Sequence, residues 1–189
     1  MTSLLFMDLG AADRKKMQNG LRPLFETMMC DGASSVGAES CTLWIVDSDG
    51  EHLWSKVRQG PRGTNLSNDE SEVRINVRAF PLRHEVVRLA AEGRPAILNC
   101  EDAQADPRFN STAQGMELYS GRTTRSLLVA PVMGDGGTVL GIVEFVNKLP
   151  LISNGYRTTF SEDDERVIRC STTTLPRGSS RLTAEFTPI

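Results

Sequence analysis

The sequence predicts an α+β domain: a central, mostly antiparallel sheet with helices on one face and a ligand-closing lid of short helices and loops on the other. Three observations predict it. Two hairpins are written in the chain: Cys41 to Val57 around Asp47-Ser-Asp-Gly50, and Ser126 to Asn147 around Gly134-Asp-Gly-Gly137. In the first hairpin Leu43 and Ile45 take one strand face and Trp44 and Val46 the other, so both faces are apolar and both need cover. Two polar stretches, 58–72 and 99–121, have too few apolar anchors to be core and read as loops, the second with short helices.

The remaining elements follow in order. Met17, Leu21, Leu24, Phe25, Met28 and Met29 recur at the spacing of one helical face, with Pro23 marking a kink or a helix start. Val73 to Val77 reads as a short strand. Leu82 to Gly93 reads as a helix with Val86, Val87, Leu89 and Ala90 apolar and Gly93 as its stop. Pro95 to Leu98 is a further short strand. The last helix opens at Phe160-Ser-Glu-Asp-Asp-Glu165, where Ser161 is a natural N-cap and Asp164, three residues on, completes a variant capping box. The domain therefore spans 13–170, with 1–12 as a flank and the Ser/Thr-rich 171–189 as a linker or disordered tail.

Bulk properties exclude several functions. A chain of 189 residues is one domain plus flanks, and a net charge of -3 gives no basic footprint for nucleic acid. The longest apolar run, Leu127 to Met133, is too short to span a bilayer, and the N-terminus lacks the pattern of a secretory signal, so a cytoplasmic location is expected. Cysteines at 30, 41, 100 and 170 form no metal spacing and read as reduced thiols. His52 and His84 are the only histidines, too few for a two-metal hydrolytic centre. No cofactor and no catalytic residue is expected.

Glu144 is the most informative residue. It lies in Val139-Leu-Gly-Ile-Val-Glu-Phe-Val-Asn147, alternating onto the face of Leu140, Ile142 and Val146. A carboxylate there must be paired, for example with Arg125, or must face a wet pocket and accept hydrogen bonds from a ligand such as the amine or ring N–H of a base.

The segment Val139-Leu-Gly-Ile-Val-Glu-Phe-Val-Asn-Lys148, with Phe160 and then Asp164-Glu165, resembles the NK-F-DE signature of phosphodiesterase GAF domains. Cys41-Thr-Leu-Trp-Ile-Val-Asp47, Asp102-Ala-Gln-Ala-Asp-Pro-Arg-Phe109 and Arg122-Thr-Thr-Arg-Ser-Leu-Leu128 are similar to other parts of that family's pattern. The resemblance implies a GAF fold and a regulatory site for a cyclic nucleotide, cAMP in preference to cGMP, with no catalysis in this chain. By position, it places Thr42, Val57 and Arg58 against the base, Ser120 and Thr124 near the lid, and Glu144 on the edge of the base. Lys148 and Asp164 would form an ion pair behind the pocket.

Two departures stand out. Where relatives have a short Gly-rich turn for the phosphate, this chain has Pro81-Leu-Arg-His-Glu-Val86, so backbone contacts are expected at Glu85, Val86 and Asn110, with Arg83 as added charge. Arg58 stands where several relatives carry an acid. The expected partners are a phosphodiesterase catalytic domain or a second GAF domain in a parent chain, and a homodimer through the terminal helices. The alternative function is a ligand-free dimerisation or relay module, which residues 17–29 fit. A GAF-type methionine sulfoxide reductase would need clustered reactive cysteines, which the spacing does not provide.

Overall fold

The computed structural model describes residues 29, 31–47, 49–59, 73–94, 96–109, 123–134, 137–150 and 158–172. Within them, six strands form one sheet: β1 (Ala38–Val46), β2 (His52–Gln59), β3 (Val73–Asn76), β4 (Leu98–Cys100), β5 (Leu127–Met133) and β6 (Val139–Lys148). Their order is β3-β2-β1-β6-β5-β4, and every adjacent pair is antiparallel. Two helices are long enough to pack: α1 (Pro81–Ala91) and α2 (Glu162–Thr172). Met29 and 31–35 are helical as well, while the rest of the amphipathic stretch expected from residue 13 lies outside the described residues.

The double-sided hydrophobicity of the strands becomes two cores. One face carries Cys41, Leu43, Leu128, Ala130, Val143 and Phe145, closed by Met29, Val36, Phe160 and Ile168. The other carries Trp44, Leu53, Leu127, Val129 and Ile142, closed by Leu82, Val86 and Ala90 of α1 together with Ala96 and Ala103. Helix α1 thus covers the face opposite α2, and residues 110–122 of the expected lid lie outside the described residues.

Two glycines set local geometry. A Cβ on Gly141 would sit 2.1 Å from the Trp44 carbonyl oxygen, so β6 can approach β1 this closely only with glycine there. Gly93, at φ +68°, lets the Arg94 N–H turn back 2.9 Å onto the Leu89 carbonyl and end α1. The register between β5 and β6 slips near Met133, which pairs with Val139 while Val132 pairs with Gly141. Leu140 therefore packs with the α2-side core, correcting the expectation that it shares the face of Glu144.

Candidate functional site

Strand alternation sends Glu144, between Ile142 and Val146, towards the face covered by α1. Glu144 is 2% exposed, and its partners all come from within the chain. Arg83 Nε donates to Oε1 at 2.6 Å, Arg83 Nη2 donates to Oε2 at 3.0 Å, and the Trp44 indole N–H donates to Oε2 at 2.7 Å. The guanidinium carbon of Arg83 also lies 4.5 Å from the centre of the Phe80 ring and 5.0 Å from that of Trp44. A planar fork that meets a carboxylate with two parallel N–H groups while lying over aromatic rings is the arrangement in which arginine surpasses lysine. Removing one member of such a buried pair typically costs about 3–5 kcal/mol.

Helix α1 brings Arg83 to this position. Arg83 precedes Val86 by three residues and Ala90 by seven, so it lies on the stripe that faces the sheet and is itself only 8% exposed. Phe80 caps the helix without a side-chain hydrogen bond, and Pro81 occupies its first position. Beside the pair lies a shallow cleft lined by Phe80, Leu82, Arg83, Arg108, Phe109, Leu127 and Glu144.

Several expectations change on this geometry. Arg125 is not the partner of Glu144; its Nη2 lies 3.7 Å from Glu39 Oε2 instead. Arg83 is committed to a carboxylate rather than held out for a phosphate. Glu85 Oε2 accepts from Arg108 Nη1 at 3.3 Å, and Val86 is fully buried in the second core. The amides of Glu85 and Val86 are also poor anion donors. Only first-turn amides lack an intrahelical acceptor, and the His84 N–H already meets the Phe80 carbonyl at 3.0 Å.

Thr42 and Glu144 are direct cross-strand neighbours, and Arg58 is Thr42's partner on the other side, so three expected residues fall in one row across β2, β1 and β6. Val57 pairs with Leu43, one step along. Asn110 and Ser120 lie outside the described residues. Thr124 is half-buried and its carbonyl accepts from Gln104 Nε2 at 2.9 Å; neither it nor Thr42 lines the cleft. Together with the Ala103 N–H, 2.7 Å from the Arg125 carbonyl, that bond joins the chain after β4 to the chain before β5.

Asp106 pairs with Arg108, one of the residues lining the cleft. The Arg108 guanidinium holds its carboxyl far below the usual carboxylate range. Burial, and then the neighbouring Asp106, push the Cys100 thiol up to about 12. Cys41 and Cys100 are buried thiols outside any disulfide, in the cores of opposite sheet faces. Among the described residues no group of three or more His, Cys, Asp or Glu could hold a metal ion, and no helix is long and apolar enough to cross a membrane.

Lys148 Nζ lies 2.8 Å from both carboxylate oxygens of Asp164 and 2.7 Å from the Val36 carbonyl. Asp164 Oδ2 in turn accepts from the Ser161 N–H at 2.8 Å and from its hydroxyl at 3.0 Å. Burial pushes the Asp164 carboxyl up, but Lys148 and Ser161 together hold it below the ordinary value. Strict alternation would place Lys148 on the face of Glu144. Asn147, at φ +57°, breaks the alternation and turns Lys148 to the other side. The Asn147 side chain accepts from the Arg125 N–H at 2.6 Å and donates to the Thr123 carbonyl at 2.9 Å, anchoring the chain as it enters β5.

Sequence reasoning passed over Arg83 as Glu144's partner, Phe80 as its cover, and the anchoring role of Asn147. The signal for Arg83 was present: a lone arginine at helical spacing from Val86 and Ala90 on an apolar stripe.

A family model described as GAF domain matches residues 20–174. The chain belongs to the GAF family. The dual 3',5'-cyclic-AMP and -GMP phosphodiesterase 11A of Takifugu rubripes is 30% identical over 138 residues, covering 71% of this chain. The chain spans 14% of that relative's length. Among solved structures, residues 122 to 287 of a methyl-accepting chemotaxis protein superpose with a TM-score of 0.61 at 15% identity, over 89% of this chain and 93% of that one. The cyanobacteriochrome receptor PixJ does so with 0.58 at 14% identity, over 82% and 92%. At such identities these structures speak for the GAF fold alone.

Proposed function

We propose that this GAF domain is a regulatory cyclic-nucleotide sensor of a phosphodiesterase-type parent chain. The observation that carries the reading is the buried Glu144 carboxylate beside Trp44 and Phe80 at the edge of a cleft, where it takes two parallel N–H donors from one planar group. With Arg83 withdrawn, a nucleobase would meet there an acceptor-only anion for its donor edge and aromatic surface near its ring. The 30% identity to a dual cyclic-AMP and cyclic-GMP phosphodiesterase supports the same ligand class. Guanine presents two adjacent donors, N1–H and N2–H, whereas adenine presents one amine beside acceptors. Guanine matches the two-donor geometry of Arg83 more fully, whereas the sequence favours cAMP, so both nucleotides are candidates for the seat. The parent's catalytic domain feels the ligand only if the nucleotide binds one conformational state better than the other.

A ligand-free relay module is the second reading, and the Arg83–Glu144 contact also favours it, because the seat is filled from within. Calorimetry with cGMP and cAMP on nucleotide-free protein, beside Glu144→Ala, decides between them. The sensor reading expects micromolar or tighter binding that the variant loses. Folded protein that gives no heat with either nucleotide supports the relay.

A further inference from the structure

The geometry points to Arg83 as a built-in competitor for the nucleotide: its guanidinium stands in for a base, and binding requires its ejection from Glu144. This inference rests on the sensor reading above and concerns how that site is regulated. The guanidinium is flat, carries adjacent N–H donors, uses two of them on the two oxygens of Glu144 at 2.6 and 3.0 Å, and lies over Phe80 and Trp44. A guanine edge would ask the same carboxylate for the same pair of hydrogen bonds and the same rings for contact, so the two cannot occupy the seat together. The displacement is local. Arg83 belongs to the first turn of α1, next to a helix start that no side chain caps, and it borders the cleft on the side of Phe80. Beyond that turn, Val86 and Ala90 anchor the helix in the sheet core. The first turn of α1 is therefore the part whose position reports on occupancy.

A competitor of this kind has a distinctive thermodynamic mark. If only molecules with Arg83 withdrawn can bind, the apparent affinity for every ligand of the seat falls by the same factor, the fraction of open molecules. Removing the competitor tightens cGMP and cAMP alike and leaves their ratio unchanged. A residue that touched the nucleotide would do the opposite and weaken binding when removed.

The test compares the full chain with Arg83→Ala and Arg83→Lys, titrated with cGMP and cAMP by calorimetry and followed through tryptophan fluorescence, since Trp44 donates to Glu144. Arg83→Lys keeps a cation beside Glu144 and remains informative if the alanine variant does not fold. The expected result is binding tightened on the order of a hundredfold or more in Arg83→Ala, less in Arg83→Lys, with the cGMP to cAMP ratio preserved. Methylguanidine, which refills the vacated seat, should raise the melting temperature of Arg83→Ala, compete with nucleotide there, and do neither in the unmodified protein. Equal affinities in unmodified and variant proteins, weaker binding in both variants, or no response of Arg83→Ala to methylguanidine would each overturn the role of Arg83 while leaving the sensor reading intact. Absence of nucleotide binding in all three proteins removes the sensor reading and this inference together.

Discussion

Two buried ion pairs hang from the same strand, four residues apart, and they are built differently. Lys148–Asp164 is closed on all sides that matter. Its ammonium is shared between both carboxylate oxygens and the Val36 carbonyl, and its carboxylate doubles as the capping partner of Ser161 at the start of α2. Arg83–Glu144 is planar, lies over aromatic rings and borders a cleft. Equal in formal charge, the two differ in what each could exchange for. An ammonium held by a carboxylate and a backbone carbonyl has no counterpart on a nucleobase edge, whereas a flat two-donor group over aromatic surface has one in guanine. On the reading proposed above, one pair is a fastening and the other an exchangeable contact.

The largest expected effect breaks the fastening. Lys148→Met leaves Asp164 buried without its cation and should cost about 3–5 kcal/mol in urea unfolding. Saturating cGMP should add the same stabilisation to this variant as to the unmodified protein, because the seat is on the other face. A variant that lost its nucleotide response along with its stability would show the two pairs to be one coupled unit.

A second, smaller effect sharpens the contrast. Replacing both members of a buried pair by apolar groups of similar size is often neutral or stabilising. In a Trp44→Phe background, which leaves no indole N–H without its Glu144 acceptor, Arg83→Met with Glu144→Leu should therefore keep its unfolding midpoint near that of the background while losing nucleotide binding. Lys148→Met with Asp164→Leu should remain about 1 kcal/mol less stable, since the cap on Ser161 is lost with the carboxylate. Matching midpoint shifts in the two double variants, each against its own background, would remove the distinction between them.

Much of this was legible in the sequence. Alternation in β1 announced a sheet with two apolar faces, Ser161 and Asp164 announced the start of α2, and the oddity of an acid within Val139–Asn147 singled out Glu144. What the sequence hid was long-range. Arg83 and Glu144 are 61 positions apart, so no local pattern pairs them, and Arg125 was as good a candidate by composition. The slip that turns Leu140 and the positive φ that turns Lys148 are single-residue events in strand register, invisible to a period-two reading. The departure at 81–86 looked like the loss of a phosphate turn. In the fold it is a helix start that carries Arg83, the partner of Glu144.

The smallest expected effect is electrostatic and again separates the two faces. Lys148 and Ser161 hold the Asp164 carboxyl below its ordinary value despite burial, so the folded protein binds that proton less readily than the unfolded chain. The resulting stabilisation is present above the unfolded carboxylate value, about 3.9, and is lost as the pH falls through the lower folded value. Asp106, held low by Arg108, adds an acid-sensitive term of the same sign from the other face. Unfolding midpoints measured from pH 7 downward should thus fall in the unmodified protein and fall less steeply in Asp164→Asn, which keeps only the terms from groups such as Asp106. Identical slopes would mean that the Lys148–Asp164 contact does not discriminate between protonation states, and the fastening would then rest on packing around Phe160 and Ile168 rather than on charge.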